Sequence, residues 1–413
     1  MQSKRCYNFL IFASVLVWVI MMGSKNIYTA EYIEICRLFD VSKPQASLAM
    51  TFYFITYGFM QILLFFILDK IDIKWYMLIS VALSGIITIF IALAMDLWQL
   101  WWILAINGVL QAGIWGMCTG VLNKYLPLKL KATANMIMNI GTAVAGIISY
   151  GSASLFVSFK RIASPFSLFG IILFVCAIIF FIAVKRCEKC LSQTDLSNNT
   201  VIVKPLTPTP FALNTKHKKT LFFIITFLLS FLIHCVFYGT INWLPSLLTE
   251  IFDVSEEKAI LISVLAPLAT TIGPIIAIRN CEKHINFVNI GFIYLLIASI
   301  ISLVFIFVFR FNILISLILL ISYLIIIQGA VTIVFSIISY KFCDYINAGA
   351  HSGLMNSAGS FSAGIAPTII GAIIQFSGWQ ISYIVIFALT FIITIIIGII
   401  LLALNRTNKK FAR

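Results

Sequence analysis

Apolar segments long enough to cross a lipid bilayer recur along almost the whole chain, and this feature limits the fold more than any other. The hydrocarbon core of a bilayer is about 30 Å thick, which takes about 20 residues of α-helix to cross. Of the 413 residues 62% are hydrophobic and 10% are charged, whereas a water-soluble domain carries about 25% charged residues. The sequence therefore predicts an all-α membrane protein without a separate soluble domain.

Twelve such segments are predicted, each as one transmembrane helix. They comprise residues 8–36, 43–68, 73–94, 97–123, 128–158, 164–184, 219–248, 255–278, 285–309, 312–340, 346–375 and 378–404. The interval between spans six and seven is rich in Lys, Ser and Asn and holds a Thr-Pro-Thr-Pro run, which is typical of a hydrophilic linker. The predicted domains are an N-terminal six-helix bundle (1–184), a cytoplasmic linker (185–218) and a C-terminal six-helix bundle (219–413).

The placement of the basic residues predicts the topology. A net charge of +14 is compatible with binding to nucleic acid or to anionic lipid. However, 21 of the 28 Lys and Arg residues fall in cytoplasmic segments if both termini are inside, as the positive-inside rule requires. We therefore expect a multi-pass protein of the bacterial cytoplasmic membrane with both termini in the cytoplasm. Its partners would be membrane lipids and a small solute, not nucleic acid.

Two short motifs recur in the two halves of the chain. The sequence Phe-Asp-Val-Ser at residues 39–42, before span two, returns at residues 252–255, before span eight. The pair Met138-Asn139 in span five returns as Met355-Asn356 in span eleven. The offsets, 213 and 217 residues, are nearly equal and place each motif at the equivalent span. The halves are therefore predicted to be parallel six-helix repeats related by an axis along the membrane normal.

Two such repeats around a central cavity are typical of the major facilitator superfamily. The chain resembles one branch of it, the organophosphate to phosphate antiporters, which include the bacterial glycerol-3-phosphate transporter. The resemblance is carried by Lys25-Asn26, Tyr57-Gly58-Phe59, Asp69-Lys70, Gln111, Trp115-x-x-Cys118, Asn135, Asn139, Tyr238-Gly239, Asn242-Trp243-x-Pro245, Glu250 and Gly378-Trp379. It implies that spans one, four, seven and ten line the cavity. It also implies a secondary transporter that works as a monomer.

The residues with which that branch grips phosphate are absent. Its two arginines correspond to Ser24 and Phe237, and its lysine and histidine correspond to Gln61 and Met138. A doubly charged phosphate ester would lose its compensating cations in a site of low dielectric constant. Phosphate exchange is therefore not expected of this chain.

Lys25 is a basic residue near the middle of predicted span one. A lysine near the middle of a span costs about 2.5–3.5 kcal/mol on insertion scales, and such residues usually face a cavity or a partner. Lys25 is thus either a cationic anchor for an anionic or zwitterionic solute, or a structural charge paired across helices or directed outward. Glu31, on the same span but about 120° around the helix, is a candidate for coupling transport to protons. It is alternatively a solvated residue at the external mouth.

Polar and aromatic side chains recur at a spacing of four on several spans, and therefore share one helical face. With Lys25, the candidate solute-binding residues are Tyr28, Tyr57, Gln61, Gln111, Trp115, Asn139, His234, Tyr238, Asn242, Gln328 and Asn356. Alternatively, these side chains join helices through hydrogen bonds of about 0.6 kcal/mol each. By resemblance, Asp69 and Lys70 belong to a cytoplasmic loop that latches the two halves.

Motifs for ATP binding, metal binding and cofactor binding are absent from the sequence. We therefore expect neither a cofactor nor enzymatic activity. The lone C-x-x-C of Cys187 and Cys190 has only His217 nearby as a third ligand, so we do not expect a metal site there either. The predicted function is a secondary active or facilitative transporter of a small polar, anionic or zwitterionic organic solute, working by rocker-switch alternating access. The alternatives are a solute sensor that does not transport, and a multidrug efflux carrier.

Overall fold

The computed structural model describes residues 2–67, 71–158, 163–192, 216–283, 287–338 and 348–411. These residues are helical almost throughout, and the helices are numbered here in chain order. They are α1 (Gln2–Ala30), α2 (Tyr32–Leu38), α3 (Lys43–Ile67), α4 (Ile73–Ile91), α5 (Leu97–Gln111), α6 (Ile114–Tyr125), α7 (Leu128–Ser158), α8 (Ala163–Ser192), α9 (Lys216–Ile241), α10 (Leu244–Phe252), α11 (Glu256–Ile262), α12 (Leu265–Lys283), α13 (Phe287–Val308), α14 (Ile313–Thr332), a π-helical turn (Ile333–Ile337) and α15 (Ala348–Phe411).

Side-chain caps fix the start of several helices that follow tight connections. Asp72 accepts a hydrogen bond from the backbone N–H of Lys74 at the start of α4 (3.1 Å). Asp96 does the same for Gln99 at the start of α5 (2.7 Å). These bonds satisfy backbone donors that have no partner within the helix. The polar residues between the apolar segments therefore set the helix boundaries.

Eleven segments within the described ranges are long and apolar enough to cross a membrane. The last of them, Gly353–Leu402, contains 50 residues, which is about 75 Å of helix at 1.5 Å per residue. That is more than twice the thickness of the hydrocarbon core. Inside it Gly378 adopts φ 82° and ψ 174°, which no helix allows. The segment is therefore two spans joined at Gly378, as predicted, and the all-helical membrane fold is confirmed.

The chain forms two compact units. The first contains Met1–Val203 with Glu256–Pro267, and the second contains Lys204–Ser255 with Leu268–Arg413. Within the first, α4 packs on α5 and α8, α3 packs on α5, and α1 packs on α7 and α8. Within the second, α9 and α13 pack on α15, and α13 packs on α14. Residues 256–267, which the sequence predicts as part of the C-terminal bundle, contain α11, and α11 packs on α7 of the first unit.

The two copies of the Phe-Asp-Val-Ser motif have the same local conformation. Asp40 and Asp253 are the two non-glycine residues with positive φ in the described chain, at 49° and 52°. Each follows the end of a short helix, α2 or α10, by one or two residues. Asp is one of the few residue types that tolerate left-handed backbone geometry. The shared conformation supports the internal repeat inferred from the sequence.

Candidate functional site

Departures from regular α-helix occur within the four spans that the family resemblance assigns to the cavity. Span one is divided between α1 and α2 at Glu31, and span four between α5 and α6 at residues 112–113. Span seven is divided between α9 and α10 at residues 242–243, and in span ten α14 runs into the π-helical turn. A further break, at residues 263–264, divides span eight. Interrupted helices within membrane spans expose backbone polar groups, and this is tolerated where the backbone is buried in protein or lines a cavity.

Lys25 lies on α1 in the first unit, beside α3. Its ammonium nitrogen is 5.2 Å from the centroid of the Phe54 ring, which is a cation–π contact. Among the described residues no carboxylate forms a salt bridge with it. The side chain is partly buried. An ammonium group in this position is stabilised by the ring, and no described carboxylate serves as its counter-ion.

The aromatic and polar candidates on α3 share one face with Phe54. Phe54, Tyr57 and Gln61 are spaced by three and four residues, which places them on one side of the helix. The Tyr57 ring stacks on that of Tyr53, with the centroids 5.7 Å apart. Tyr57 is 8% exposed and Gln61 is partly exposed. The ammonium group and this face therefore form one patch on the first unit.

A second aromatic group joins α1 to α6. The ring centroids of Trp18 and Trp115 are 4.5 Å apart, and Trp18 donates a hydrogen bond from Nε1 to Thr142 Oγ1 on α7 (2.9 Å). Trp18 lies seven residues before Lys25 and thus on the same face of α1. Beside Trp115, a β-carbon added at Gly116 or Gly120 would meet nothing within 4 Å. Trp115 itself is partly exposed.

Tyr28 and Gln111, both solute-binding candidates, make hydrogen bonds within the first unit. Tyr28 is 1% exposed and donates from its hydroxyl to the Ala46 carbonyl on α3 (2.9 Å). Gln111 is fully buried, accepts from the Tyr53 hydroxyl (2.6 Å) and donates to Ser84 Oγ (2.8 Å). Ser84 in turn donates to Asn107 (2.7 Å). In this conformation these side chains hold α1, α3, α4 and α5 together, and a solute would have to compete with protein partners for them.

Substitution of Gln111 by leucine should destabilise the protein by about 1–3 kcal/mol, because the hydroxyl groups of Tyr53 and Ser84 would each lose a buried partner. The expected result is a lower melting temperature in detergent. Thr119→Val is the matched control, since its hydroxyl bonds only to carbonyls of its own helix. Equal stability of the two variants would contradict the role given to Gln111.

The candidates on α9 lie in the second unit. His234 is 9% exposed, donates from Nδ1 to the Ser230 carbonyl (2.7 Å) and stacks on Tyr238, with the centroids 6.0 Å apart. Its Nε2 faces Gly359 of α15 closely enough that a β-carbon there would be 3.0 Å away. Asn242, partly buried, occupies the break between α9 and α10. The His234 ring is thus fixed by its hydrogen bond and its close neighbours. Asn242 lies where the helix of span seven is interrupted.

The remaining candidates occupy different surroundings. Gln328 precedes the π-helical turn on α14, and its side-chain oxygen is buried without a hydrogen-bond partner among the residues described. Asn356 on α15 is partly buried, and Asn139 on α7 is exposed. Asp69 and Lys70 lie outside the described residues.

Glu31, the coupling candidate, occupies the break between α1 and α2. None of its surface is exposed, and neither carboxylate oxygen has a hydrogen-bond partner among the described residues. Three residues on, Glu34 accepts a hydrogen bond from Arg37 (2.8 Å), and Arg37 also pairs with Glu256 of α11. Glu31 is therefore a fully buried acid, and the charged cluster of Glu34, Arg37 and Glu256 begins three residues after it.

The structure adds three residues that the sequence patterns do not single out. Phe54 contacts the Lys25 ammonium, Trp18 contacts Trp115, and Ser84 bridges Gln111 to Asn107. Trp18 could have been found from its spacing of seven residues from Lys25. Phe54 and Ser84 could not, because phenylalanine and serine are common in spans and their role depends on the neighbouring helix.

Comparison with known proteins identifies the family. The model of the Major Facilitator Superfamily matches residues 9–367 of the chain. No curated protein sequence matches it.

Solved structures of other membrane transporters share its fold. A bacterial homologue of the human lysosomal transporter Spinster, inward-facing and unoccupied, aligns with TM-score 0.70 and 16% identity over 98% of each chain. The nucleoside transporter NupG aligns with TM-score 0.64 and 15% identity over 95% of this chain and 98% of that one. Neither structure is an organophosphate antiporter, and at such identities the likeness concerns the fold alone. With a family match over most of its length and the corresponding fold, the chain belongs to the Major Facilitator Superfamily and is a membrane transporter, not an enzyme.

Proposed function

We propose that the chain is a secondary carrier, active or facilitative, for a small polar organic solute that bears a carboxylate, either as an anion or as a zwitterion. The two six-helix bundles would expose the solute alternately to each side of the membrane. The observation that carries this proposal is Lys25, a partly buried ammonium group that lies over the Phe54 ring and has no salt bridge to a described carboxylate.

The charge of Lys25 favours a solute with negative charge. A buried cation without a counter-ion is costly, and an incoming carboxylate would supply the missing partner and hydrogen-bond acceptors. Organic cations, typical of multidrug efflux, would be repelled by the same group. A single lysine also makes fewer directed contacts than the paired arginines of phosphate carriers, because an ammonium group is a point charge. This supports a carboxylate over a phosphate ester and separates the chain from the organophosphate branch.

The aromatic surroundings suit an organic body attached to that carboxylate. Trp115 is partly exposed on α6, and Tyr57 lies on the face that carries Phe54. Flat aromatic surfaces give apolar contact to a ring or a short carbon chain, while their polar edges donate hydrogen bonds. We therefore favour sugar acids, amino acids and other organic carboxylates as solutes.

A thermal-shift screen of the purified protein against sugar acids, amino acids, other carboxylates and phosphate esters tests the proposal. A carboxylate should raise the melting temperature of the wild-type protein and not that of Lys25→Ala. The matched control is Lys124→Ala, because Lys124 also lies over an aromatic ring, that of Tyr125 at 5.0 Å, but is exposed near the end of α6. Tight binding of a phosphate ester to the wild-type protein, or equal binding of a carboxylate to Lys25→Ala, would contradict the proposal.

A further inference from the structure

Glu31 has no structural role that its surroundings explain. Its carboxylate is wholly buried, and neither oxygen accepts a hydrogen bond from any described residue. It stands at the N-cap position of α2, where a carboxylate often binds backbone N–H groups, yet its side chain caps nothing. An unpaired buried carboxylate is stabilised by neither partner nor water. A ligand bound to the carboxylate would supply the missing partner.

Among the described residues no cation forms a salt bridge with Glu31. Lys25 lies six residues earlier, about 120° around the helix, and its ammonium group contacts Phe54. Arg37 is occupied by Glu34 and Glu256. The titratable and charged groups nearest Glu31 along the elements around it are Lys25, Tyr28, Tyr32, Glu34, Cys36 and Arg37 on α1 and α2, Lys43 on α3, Tyr150 on α7, and Glu256, Glu257 and Lys258 on α11. With the acids close by and the bases engaged elsewhere or exposed, Glu31 is best accommodated as the neutral acid.

The α1–α2 junction, which holds Glu31, packs on α11 through Ala30. Ala30, the residue before Glu31, packs in an apolar cluster with Tyr150 and Ala153 of α7 and Ile260 of α11, and Val264 closes the cluster. Two polar contacts brace the same side: Arg37 to Glu256, and the Ser154 hydroxyl to the Glu257 carbonyl (2.9 Å). Residues 256–267 are more than 90 positions from α7 in sequence, so this packing is a long-range contact that can separate while α1 and α7 stay together. If α11 moves away, water reaches the α1–α2 junction.

We propose that Glu31 is a proton-binding site that is loaded when α11 packs on α7, and that the carrier consequently couples solute movement to protons. A proton from the aqueous phase binds a carboxylate oxygen of Glu31 and makes burial under α11 favourable, since burying the ionised acid would cost several kcal/mol. Loss of the proton favours separation of α11, which lets water solvate the carboxylate. By thermodynamic linkage, proton binding and α11 packing strengthen one another. The coupling to solute rests on the proposed function; the proton site and its link to α11 do not.

The experiment measures how exposed the α11 contact is at different pH, without any solute. Val264→Cys is introduced into a variant whose native cysteines are replaced, and its rate of reaction with a small methanethiosulfonate reagent is measured at pH 6 and pH 9 in detergent. Each rate is divided by that of Leu38→Cys in the same background, because Leu38 is 62% exposed and reports the pH dependence of the thiol itself. With Glu31 intact, the corrected rate should rise about tenfold from pH 6 to pH 9.

Three further variants in that background decide the outcome. Glu31→Gln and Glu31→Met, neutral at every pH, should keep the corrected rate low at both pH values. Glu257→Gln, which removes an exposed carboxylate of α11, should respond as Glu31-intact protein does. No pH response with Glu31 intact, or the same response in a folded Glu31 variant, would overturn the proton site. A transporter that passes this test but binds no carboxylate would instead refute the proposed function, so the two failures are distinguishable.

Discussion

Gly108→Ala should destabilise the protein by at least about 2 kcal/mol, because α3 and α5 are in contact at this point. A β-carbon at Gly108 would overlap the backbone carbonyl oxygen of Tyr53 and lie 2.5 Å from the Thr56 hydroxyl. The backbone cannot retreat locally, and Thr56 is held by its hydrogen bond to the Ala105 carbonyl (2.7 Å). The two helices would have to separate. Small residues at such crossings are how membrane helices approach closely.

Gly116→Ala, on the continuation of the same span, is the matched control for that substitution. Its β-carbon would meet nothing within 4 Å, so alanine should be neutral or slightly stabilising through its higher helix propensity. The measurement is the melting temperature of each purified variant in the same detergent. Equal melting temperatures for Gly108→Ala and Gly116→Ala would show that α3 and α5 are not in contact at Gly108.

Lys25→Met should reduce the rate of solute transport at least about a hundredfold. In the proposed complex, Lys25 and the carboxylate of the bound solute form a buried ion pair. Removing one partner of such a pair costs about 3–5 kcal/mol, and each 1.4 kcal/mol is a factor of ten. Methionine keeps the unbranched shape and the contact with Phe54 but removes the charge. The measurement is the initial rate of counterflow in proteoliposomes, with the solute found by thermal shift.

Lys25→Arg separates the role of charge from that of shape. It keeps the cation and should retain more transport than Lys25→Met, although the larger planar group fits the site less well. Lys124→Met, at an exposed lysine, should transport like the wild-type protein. Full transport by Lys25→Met would mean that the ammonium group is structural.

The membrane spans could be predicted from sequence because crossing a bilayer demands a long apolar run whatever the tertiary structure. The boundary at Gly378 followed from the end of one such run, and the structure places the kink there. The breaks at Glu31 and at Gly113 were not predictable in this way, since hydropathy continues across them. They are local departures from regular helix, across which backbone hydrogen bonds such as those from Glu31 to Ile27 and from Ile35 to Glu31 persist.

The helix face on which a candidate side chain lies could be predicted from the sequence, but its hydrogen-bond partners could not. Tyr53 and Tyr57, four residues apart, lie on one side of α3, and their rings stack. The same spacing made Gln111 a candidate for solute contact, yet the structure gives it Tyr53 and Ser84 as partners. A repeat of four residues fixes the direction of a side chain on its own helix. Only the packing of helices decides whether that direction meets protein or open space.

Uptake by the reconstituted wild-type protein is the measurement that tests the central claim most directly. Proteoliposomes are loaded with unlabelled solute, the labelled carboxylate identified by thermal shift is added outside, and its accumulation is followed over time. Carriage by alternating access predicts labelled solute inside the vesicles far above protein-free vesicles, with the Lys25→Met vesicles close to that background. Binding of the carboxylate to the purified protein without any uptake would contradict the account and indicate a sensor that keeps the fold without the transport cycle.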